Sequence, residues 1–363
     1  MSILAPIVVL LLLIAVHELG HFAAARLQGI RVSRFSIGFG PAILKYQGEV
    51  TEYVVCAFPL GGYVAFPDDD PDSTIPPDDP DLLRNRPILD RAIVISAGVI
   101  ANLIFAYFLL VGQAMTIGFQ DFSYSPGVLV PQIIQEDGSA AAKAGIKAGD
   151  VILQIGDRKL SESPESLNIL RETIQNSPQE TLELTVLRNS EKLSLAVTPQ
   201  VDSDGKGKIG VMLAPNGKAI RYQSSNIVEA FSAGTKEYQR IFFLITKGFW
   251  QLVSNFQESA EQVAGPVAIV SVGAELARND LNNLFQFGAL ISINLAIINI
   301  LPLPALDGGQ LAFLLVEGVR GKPLPSKVQN SIMQTGMVLL LSLSVFLIVR
   351  DTVNLAFFQE LFQ

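Results

Sequence analysis

Residues 16–22 of the chain read VHELGHF, and they close an apolar run, SILAPIVVLLLLIA, that begins at residue 2. His17 and His21 are the only two histidines among the 363 residues. An ionisable side chain inside a membrane span is costly, and it is by default a sign of function. Since residues four apart share one face of a helix, the stretch predicts a transmembrane helix that presents two imidazoles side by side, with Glu18 next to them.

The pattern His-Glu-x-x-His on a helix is typical of a zinc site. Both imidazoles can reach one ion, and Glu18 can take a proton from water at the open position of that ion. Zinc lowers the pKa of such a water to about 7 and polarises a carbonyl. The alternative is a helix end with interfacial polar residues, because short motifs also arise by chance. His17 and His21 are therefore candidate zinc ligands, and Glu18 is the candidate general base.

The composition indicates that this helix belongs to a polytopic membrane protein. Hydrophobic residues make up 49% of the chain and charged residues 17%, whereas soluble domains carry about 25% charge. The net charge of −8 argues against nucleic-acid partners, which require a basic face. The single cysteine, Cys56, excludes an internal disulfide framework and a cysteine-rich zinc module.

Four segments are long and apolar enough to span a bilayer, which takes about 20 apolar residues. They are residues 1–27, 92–116, 281–305 and 332–350. No Lys or Arg precedes the first apolar core, so this segment lacks the charged start of a signal peptide and is expected to be retained. Lys and Arg flank the spans in the first and third loops. Both loops are therefore predicted to be cytoplasmic, and both termini extracytoplasmic.

The segments on the predicted cytoplasmic side differ in character. Residues 28–66 alternate apolar and polar side chains around Gly48, which predicts a membrane-associated β-hairpin region. The pattern leaves open whether this region lies at the interface or enters the membrane. Residues 67–91 are acidic and proline-rich, and we interpret them as a solvated linker. Residues 306–331 are predicted to form a cytoplasmic loop.

The segment between the second and third spans has two parts. Residues 117–216 alternate strand-like runs with glycine turns, which predicts an extracytoplasmic α+β domain. Residues 217–280 show helical periodicity with aromatic and charged side chains. They are expected to form amphipathic surface helices, with a helix pair over residues 226–256. Residues 351–363 are predicted to be a C-terminal tail.

The third zinc ligand cannot be a histidine, although catalytic zinc usually has three protein ligands. Asp307 ends the third span in NILPLPALDGG, residues 299–309, and the topology puts it in the same leaflet as His17 and His21. Asp307 could instead be the N-cap of the following helix. Cys56 is a rival ligand, but it lies in an apolar strand-like run without a second motif, and we interpret it as an ordinary small residue.

Asn102 lies inside the second predicted span, and Asn294 and Asn299 lie inside the third. Their ordinary explanation is hydrogen bonding between helices. Asn299 is close to Asp307 in the chain, so it could instead contact a substrate backbone or a developing oxyanion. Asn299 and Asn102 are therefore the candidate substrate-binding residues of the spans.

Three motifs together resemble the site-2 proteases, which are intramembrane zinc metalloproteases, and among them the bacterial RseP type. These motifs are HELGH, NILPLPALDGG and the PDZ-like AGIKAGDVILQIGD of residues 144–157. The resemblance implies that His17, His21 and Asp307 bind Zn²⁺ and that Glu18 is the general base. It also implies transmembrane protein substrates, such as anti-sigma factors or remnant signal peptides, which a PDZ domain admits after another protease has trimmed them.

The resemblance extends to the β-hairpin region. Residues 38–63 would form a re-entrant hairpin that binds an unwound substrate as an added strand, with Gly61 and Gly62 as substrate-binding residues. The chain departs from the family in two places. It has one PDZ-like segment instead of the two found in the best-known member, and Val99 stands where the second-span motif often has proline.

The sequence thus predicts a polytopic α-helical membrane protein with four transmembrane helices, a membrane-associated β-hairpin region and an inserted α+β PDZ domain. The expected function is zinc-dependent hydrolysis of a peptide bond within or near a transmembrane segment. The alternative is a non-catalytic membrane adaptor that binds protein C-termini through the PDZ domain. The expected location is a bacterial inner membrane, with a thylakoid or plastid membrane as the other option. The substrate and the oligomeric state stay open.

Overall fold

The computed structural model describes residues 3–70, 75–134, 138–202, 204–255 and 263–354. The chain forms two units, one made of residues 1–118 and 223–363 and one of residues 119–222. In chain order the elements are α1 (Leu4–Leu27), β1 (Arg34–Gln47), β2 (Glu52–Ala65), α2 (Ile88–Thr116), β3 (Phe119–Ile133), α3 (Ala140–Lys143), β4 (Val151–Ile155), β5 (Arg158–Lys159), α4 (Glu165–Gln175), β6 (Leu182–Arg188), β7 (Glu191–Val197), β8 (Gln200–Val201), β9 (Gly207–Lys208), β10 (Val211–Tyr222), α5 (Ile227–Ser254), α6 (Pro266–Asn279), α7 (Asn283–Ile300), α8 (Asp307–Arg320) and α9 (Ser326–Asn354).

Four helices of the described residues are long and apolar enough to cross a membrane, namely α1, α2, α7 and α9. A β-region follows α1, and an α+β unit is inserted between α2 and α5. The predicted fold class is therefore confirmed. The protein is an integral membrane protein, because helices of this length and composition bury their apolar side chains only in lipid or against one another.

Several helix boundaries differ from the prediction. Helix α2 starts at Ile88, directly after Pro87, because proline suits a helix start. Helix α9 runs for 29 residues from Ser326, so its polar first turns extend the predicted span of residues 332–350. The loop predicted over residues 306–331 is instead mostly helical, since it contains α8 and the start of α9.

Two further predictions need correction in the segment after the inserted unit. The expected helix pair over residues 226–256 is one continuous helix, α5, capped by the side chain of Asn226. Residues 217–222 do not belong to the surface helices, because they complete β10 and pair with β3. Residues 256–262 of this segment, and residues 355–363 of the predicted tail, lie outside the described residues.

The β-region is an interleaved sheet. Residues 34–37 of β1 pair with two parts of β2, antiparallel with residues 62–65 and parallel with residues 52–55. Residues 42–47 of β1 pair with residues 52–56 on the outer side. The order across the sheet is therefore 42–47, 52–56, 34–37 and 62–65, with residues 62–65 at one edge. The turn predicted around Gly48 is present, because its N–H donates to the carbonyl of Thr51 at 3.0 Å.

The described part of the acidic segment is packed around Leu82 but exposed at Pro76, Pro77 and Asp78, which corrects its interpretation as a solvated linker in part. Leu82 is 1% exposed. Arg31 lies 3.2 Å from the carboxylate of Asp79, and Arg86 lies 3.0 Å from that of Asp81. Asp79 and Asp81 are therefore partners of the basic residues Arg31 and Arg86. Residues 71–74 lie outside the described residues.

The inserted unit has its own core. Its sheet has the order β10-β3-β4-β6-β7, and Ile152, Leu170 and Leu184 are fully buried between sheet and helices. Asp150 is paired with Arg188 at 2.7 Å. Burial alone would raise the pKa of Asp150, but the hydrogen bonds from Arg188 and from the N–H of Lys147 outweigh it and hold this pKa below its usual value.

Candidate metal centre

Helices α1 and α2 approach closely because glycines occupy their contact. A Cβ atom on Gly20 would lie 2.4 Å from the carbonyl oxygen of Ala97, so the two backbones touch. A Cβ atom on Gly98 would lie 2.3 Å from Nε2 of His21 and 2.8 Å from Cε1 of His17. Gly98 therefore leaves the space that both imidazoles fill. Gly98 is not among the residues that the sequence motifs predict for the site.

Three side chains that the sequence predicted as metal ligands meet at this point. Nε2 of His17 lies 3.2 Å from Nε2 of His21 and 3.2 Å from Oδ2 of Asp307. Nε2 of His21 lies 3.4 Å from the same Oδ2. Zinc bonds of about 2.0–2.1 Å in tetrahedral geometry place neighbouring ligand atoms about 3.3 Å apart. The buried Oδ2 has no hydrogen-bond partner, so the triangle fits one divalent cation.

A break in the third span brings Asp307 to the two histidines. Helix α7 ends at Ile300, before Pro302, and α8 starts at Asp307. The break is tight, since a Cβ atom on Gly308 would lie 2.1 Å from the carbonyl oxygen of Leu301. The N-cap of α8 is Leu306, and no side chain caps this helix end. The alternative interpretation of Asp307 as a helix N-cap is therefore wrong.

An ion pair fixes α8 against α2. Nη2 of Arg91 lies 2.5 Å from Oε1 of Glu317, and Nη1 lies 3.0 Å from Oε2. The two side chains are only 16% and 13% exposed. Bidentate pairs of this kind add geometric specificity as well as attraction. The pair therefore restrains the helix whose first residue is Asp307, and no sequence motif pointed to it.

The other ring nitrogens and the candidate asparagines surround the triangle. Nδ1 of His21 lies 2.8 Å from the carbonyl oxygen of Val94. Nδ2 of Asn102 lies 3.4 Å from Nδ1 of His17, and Nδ2 of Asn299 lies 3.4 Å from Nε2 of the same ring. Asn102 is 0% exposed, so it does not reach a substrate in the way the sequence predicted. Asn299 keeps partial exposure on the ligand side of the ring.

The edge of the β-sheet passes beside Glu18. A Cβ atom on Gly62 would lie 2.8 Å from Cγ of Glu18, so residues 62–65 border the candidate base. Gly61 contacts Phe39 instead, with a φ of 128° and a hypothetical Cβ 2.2 Å from that ring. Cys56 lies next to Ser36, with its Sγ 3.5 Å from Oγ. This placement agrees with its interpretation as a small buried residue.

Comparisons with known proteins place the chain in a family. The model of peptidase family M50 matches residues 5–343. A Nostoc chain with a provisional zinc metalloprotease name is 59% identical over 367 residues, which cover 100% of both chains. A chloroplastic membrane metalloprotease of Arabidopsis thaliana, ARASP, is 47% identical over 99% of this chain and 80% of its own.

A match to a solved structure covers a smaller part of the chain. The PDZ domain of an SdrC-like protein from Listeria innocua aligns with 24% of this chain and 92% of its own, at 21% identity and a TM-score of 0.21. The family match, in contrast, starts in α1 and ends in α9, so it includes both the histidine motif and Asp307. With whole-length relatives at this level of identity, the chain belongs to peptidase family M50 and is a membrane zinc metalloprotease.

Proposed function

We propose that the protein is an intramembrane endopeptidase in which His17, His21 and Asp307 hold the zinc ion and Glu18 is the general base. The observation that carries the proposal is the triangle of ligand atoms, with sides of 3.2, 3.2 and 3.4 Å, at the meeting point of α1 and α8. Helix α1 is apolar and long enough to span a membrane, and ionisable groups inside such a helix are functional by default. A structural zinc site would use four protein ligands, whereas three leave a position for water.

The chemistry follows from the residues around the triangle. When bound, zinc supplies an acidified water and polarises the scissile carbonyl. Glu18 follows His17 directly, accepts the proton of the attacking water and returns it to the leaving amine nitrogen. Asn299 points its amide towards Nε2 of His17, and we assign it to the substrate carbonyl oxygen as that atom gains negative charge.

The substrate is proposed to bind as an extended strand along residues 62–65. A helical peptide hides its carbonyls in its own hydrogen bonds, so a transmembrane substrate must unwind before cleavage. An unpaired sheet edge offers replacement hydrogen bonds. Gly62 lies at that edge beside Glu18, and the missing side chain leaves room for the scissile bond. Substrates of this kind are pre-trimmed transmembrane proteins, such as anti-sigma factors or remnant signal peptides.

We propose that the inserted unit and both termini face away from the cytoplasm, in a bacterial inner membrane. The positive-inside pattern of the loops supports this orientation. Two relatives from Arabidopsis thaliana carry chloroplastic names. In a thylakoid or plastid membrane, the same orientation would place the loops that we propose as cytoplasmic in the stroma. Protease protection of the inserted unit in sealed vesicles tests the orientation.

A second candidate function is that of an adaptor that binds protein C-termini. A cavity of about 190 Å³ lies between α4 and residues 207–213, with Arg171, Ile174 and Gly210 in its lining. Strand β10 is an edge strand there, so a peptide could add to it. An adaptor, however, has no need of the ligand triangle.

The substitution Glu18→Gln separates the two functions. We expect the variant to keep about one zinc per chain and to lose cleavage of a membrane-embedded substrate. His17→Ala is the matched variant, and it should lose both zinc and cleavage. If Glu18→Gln cleaves as fast as the parent, the mechanism is wrong. If the parent, extracted without chelator, carries no zinc, the adaptor is favoured.

A further inference from the structure

We infer that Asn102 is a positioning residue that holds the ring of His17, and this inference rests on the proposed function because it takes His17 as a zinc ligand. Asn102 lies in α2 and is 0% exposed. Its Nδ2 lies 3.4 Å from Nδ1 of His17. Its Oδ1 is buried without a hydrogen-bond partner. A fully buried amide this close to a ligand ring acts on the ring and not on the substrate.

The neighbouring imidazole shows what a metal-binding histidine needs. Nδ1 of His21 lies 2.8 Å from the carbonyl oxygen of Val94. A carbonyl oxygen only accepts, so Nδ1 of His21 carries the proton and donates it. Its Nε2 then keeps a free lone pair towards Oδ2 of Asp307. An acceptor on the far nitrogen sets both the tautomer and the orientation of a metal-binding ring.

His17 requires the same arrangement. Its Nε2 faces Oδ2 of Asp307 at 3.2 Å, so with Nε2 as the ligand its Nδ1 carries the proton. An amide NH₂ group cannot accept that proton, but an amide oxygen can. The two ends of an amide have nearly the same shape, and a half-turn about its last bond exchanges them. In that orientation Oδ1 of Asn102 accepts from Nδ1–H of His17.

The choice between the two amide orientations depends on His17 alone. The end of the Asn102 amide that faces away from the ring has no partner in the present orientation, and turning the amide does not change its surroundings. With NH₂ towards Nδ1–H, two donors face each other. With Oδ1 towards it, one hydrogen bond forms. Asn102 therefore commits Nε2 of His17 to the metal, as the Val94 carbonyl does for His21.

The position of Asn299 makes the assignment specific. Asn102 and Asn299 both approach the ring of His17, but at different nitrogen atoms. Asn299 lies at the ligand nitrogen and is partly exposed, whereas Asn102 lies at the far nitrogen and is fully buried. Two asparagines that look alike in the sequence thus have different roles, one beside the substrate and one behind the ligand.

Zinc affinity tests the inference with variants that differ in one property. Asn102→Leu keeps the branching of the side chain at Cγ and removes the acceptor, and we expect zinc to bind about 10- to 100-fold more weakly, which is the usual effect of losing such a partner. Asn102→Asp keeps an acceptor and should bind zinc at least as tightly as the parent. Asn294→Leu is the control, because its amide oxygen is also buried without a partner. The measurement is competition with a chelator on the purified full chain.

The nitrogen NMR spectrum of isotope-labelled histidine supplies a second readout. The chain has two histidines, so the spectrum contains two imidazoles. We expect both to carry the proton on Nδ1 in the zinc-loaded parent, and Asn102→Leu to change the signals of His17 while those of His21 stay. The inference is overturned if Asn102→Leu matches the parent in both measurements, or if Asn102→Asp binds zinc as weakly as Asn102→Leu. Zinc binding that survives His17→Ala would overturn the ligand set itself.

Discussion

Oδ2 of Asp307 lies 3.2 Å from Nε2 of His17, although His17 belongs to the first membrane helix and Asp307 follows the third. Each residue brings one side of the site, and neither helix can hold an ion by itself. Metal binding therefore stabilises only those arrangements in which α1 and α8 are both in place. The site is a long-range contact as well as a centre of chemistry.

Zinc removal should lower the thermal stability of the full chain in detergent. An ion that binds only the folded state stabilises it by about 4 kcal/mol when its free concentration is 1,000 times the dissociation constant. We expect a chelator to lower the unfolding temperature of the parent. The variant Asp307→Ala should unfold at this lower temperature even without chelator, and adding chelator should not change its unfolding temperature. An unchanged response in this variant would contradict the assignment of Asp307.

Gly98→Ala should weaken zinc binding. Its Cβ atom would lie 2.3 Å from Nε2 of His21, closer than any contact allows, so the imidazoles must move. We expect a loss of at least about tenfold in affinity, the size of effect seen when ligand orientation is disturbed. Gly112→Ala on the same helix is the control, because the nearest atom to its Cβ is 3.8 Å away. Equal affinities in the two variants would show that Gly98 does not shape the site.

Glu317→Gln should destabilise α8 and reduce zinc occupancy. The substitution leaves Arg91, which is 16% exposed, without its carboxylate, and a partly buried group that loses its partner costs about 1–3 kcal/mol. Arg240→Gln is the control, because Arg240 is 59% exposed and exposed pairs contribute about 1 kcal/mol at most. Thermal unfolding with zinc analysis measures both effects. Partial rescue by exchanging Arg91 and Glu317 would identify the pair itself as the cause.

The inserted unit should lose stability in acid through Asp150. Its pKa is held below the usual value, since the bonds from Arg188 and Lys147 outweigh burial. A lowered pKa in the folded state gives a stabilisation that is full above the unfolded-state pKa, about 3.9, and is lost as the pH falls through the folded-state pKa. Hydrogen exchange of β4 and β6 amides in the full chain measures it. Arg188→Met should weaken this pH dependence, and an unchanged profile would contradict the argument.

The sequence gives strong information on the ligands for a simple reason. Spacing of four on a helix places His17 and His21 on one face wherever the helix packs. The leaflet of Asp307 follows from the order of the spans and from charge. These inferences use only local geometry and topology. They do not require knowledge of which side chains touch.

The features that the sequence did not reveal depend on contacts between distant residues. Arg91 and Glu317 lie on different helices, and each resembles an ordinary charged residue at the end of an apolar segment. Helix α8 is short and follows two prolines, so an apolar count overlooks it. Asn102 and Asn299 differ only in which side of one ring they approach. Tertiary packing decides all of these, and packing is not visible in a local pattern.

The interleaved sheet also determines how the protein responds to force. Residues 34–37 are held on both sides by the same strand, β2, in opposite directions. A substrate strand bound at residues 62–65, as proposed, would pull along this edge as its helix unwinds and would load the sheet in shear. A slip of one residue at that edge would break the antiparallel pairing with residues 34–37, and it would turn each side chain to the other face. The edge beside Glu18 is thus backed by residues 34–37, which residues 52–55 hold from the other side, so a substrate bound as proposed would be unwound against an anchored strand.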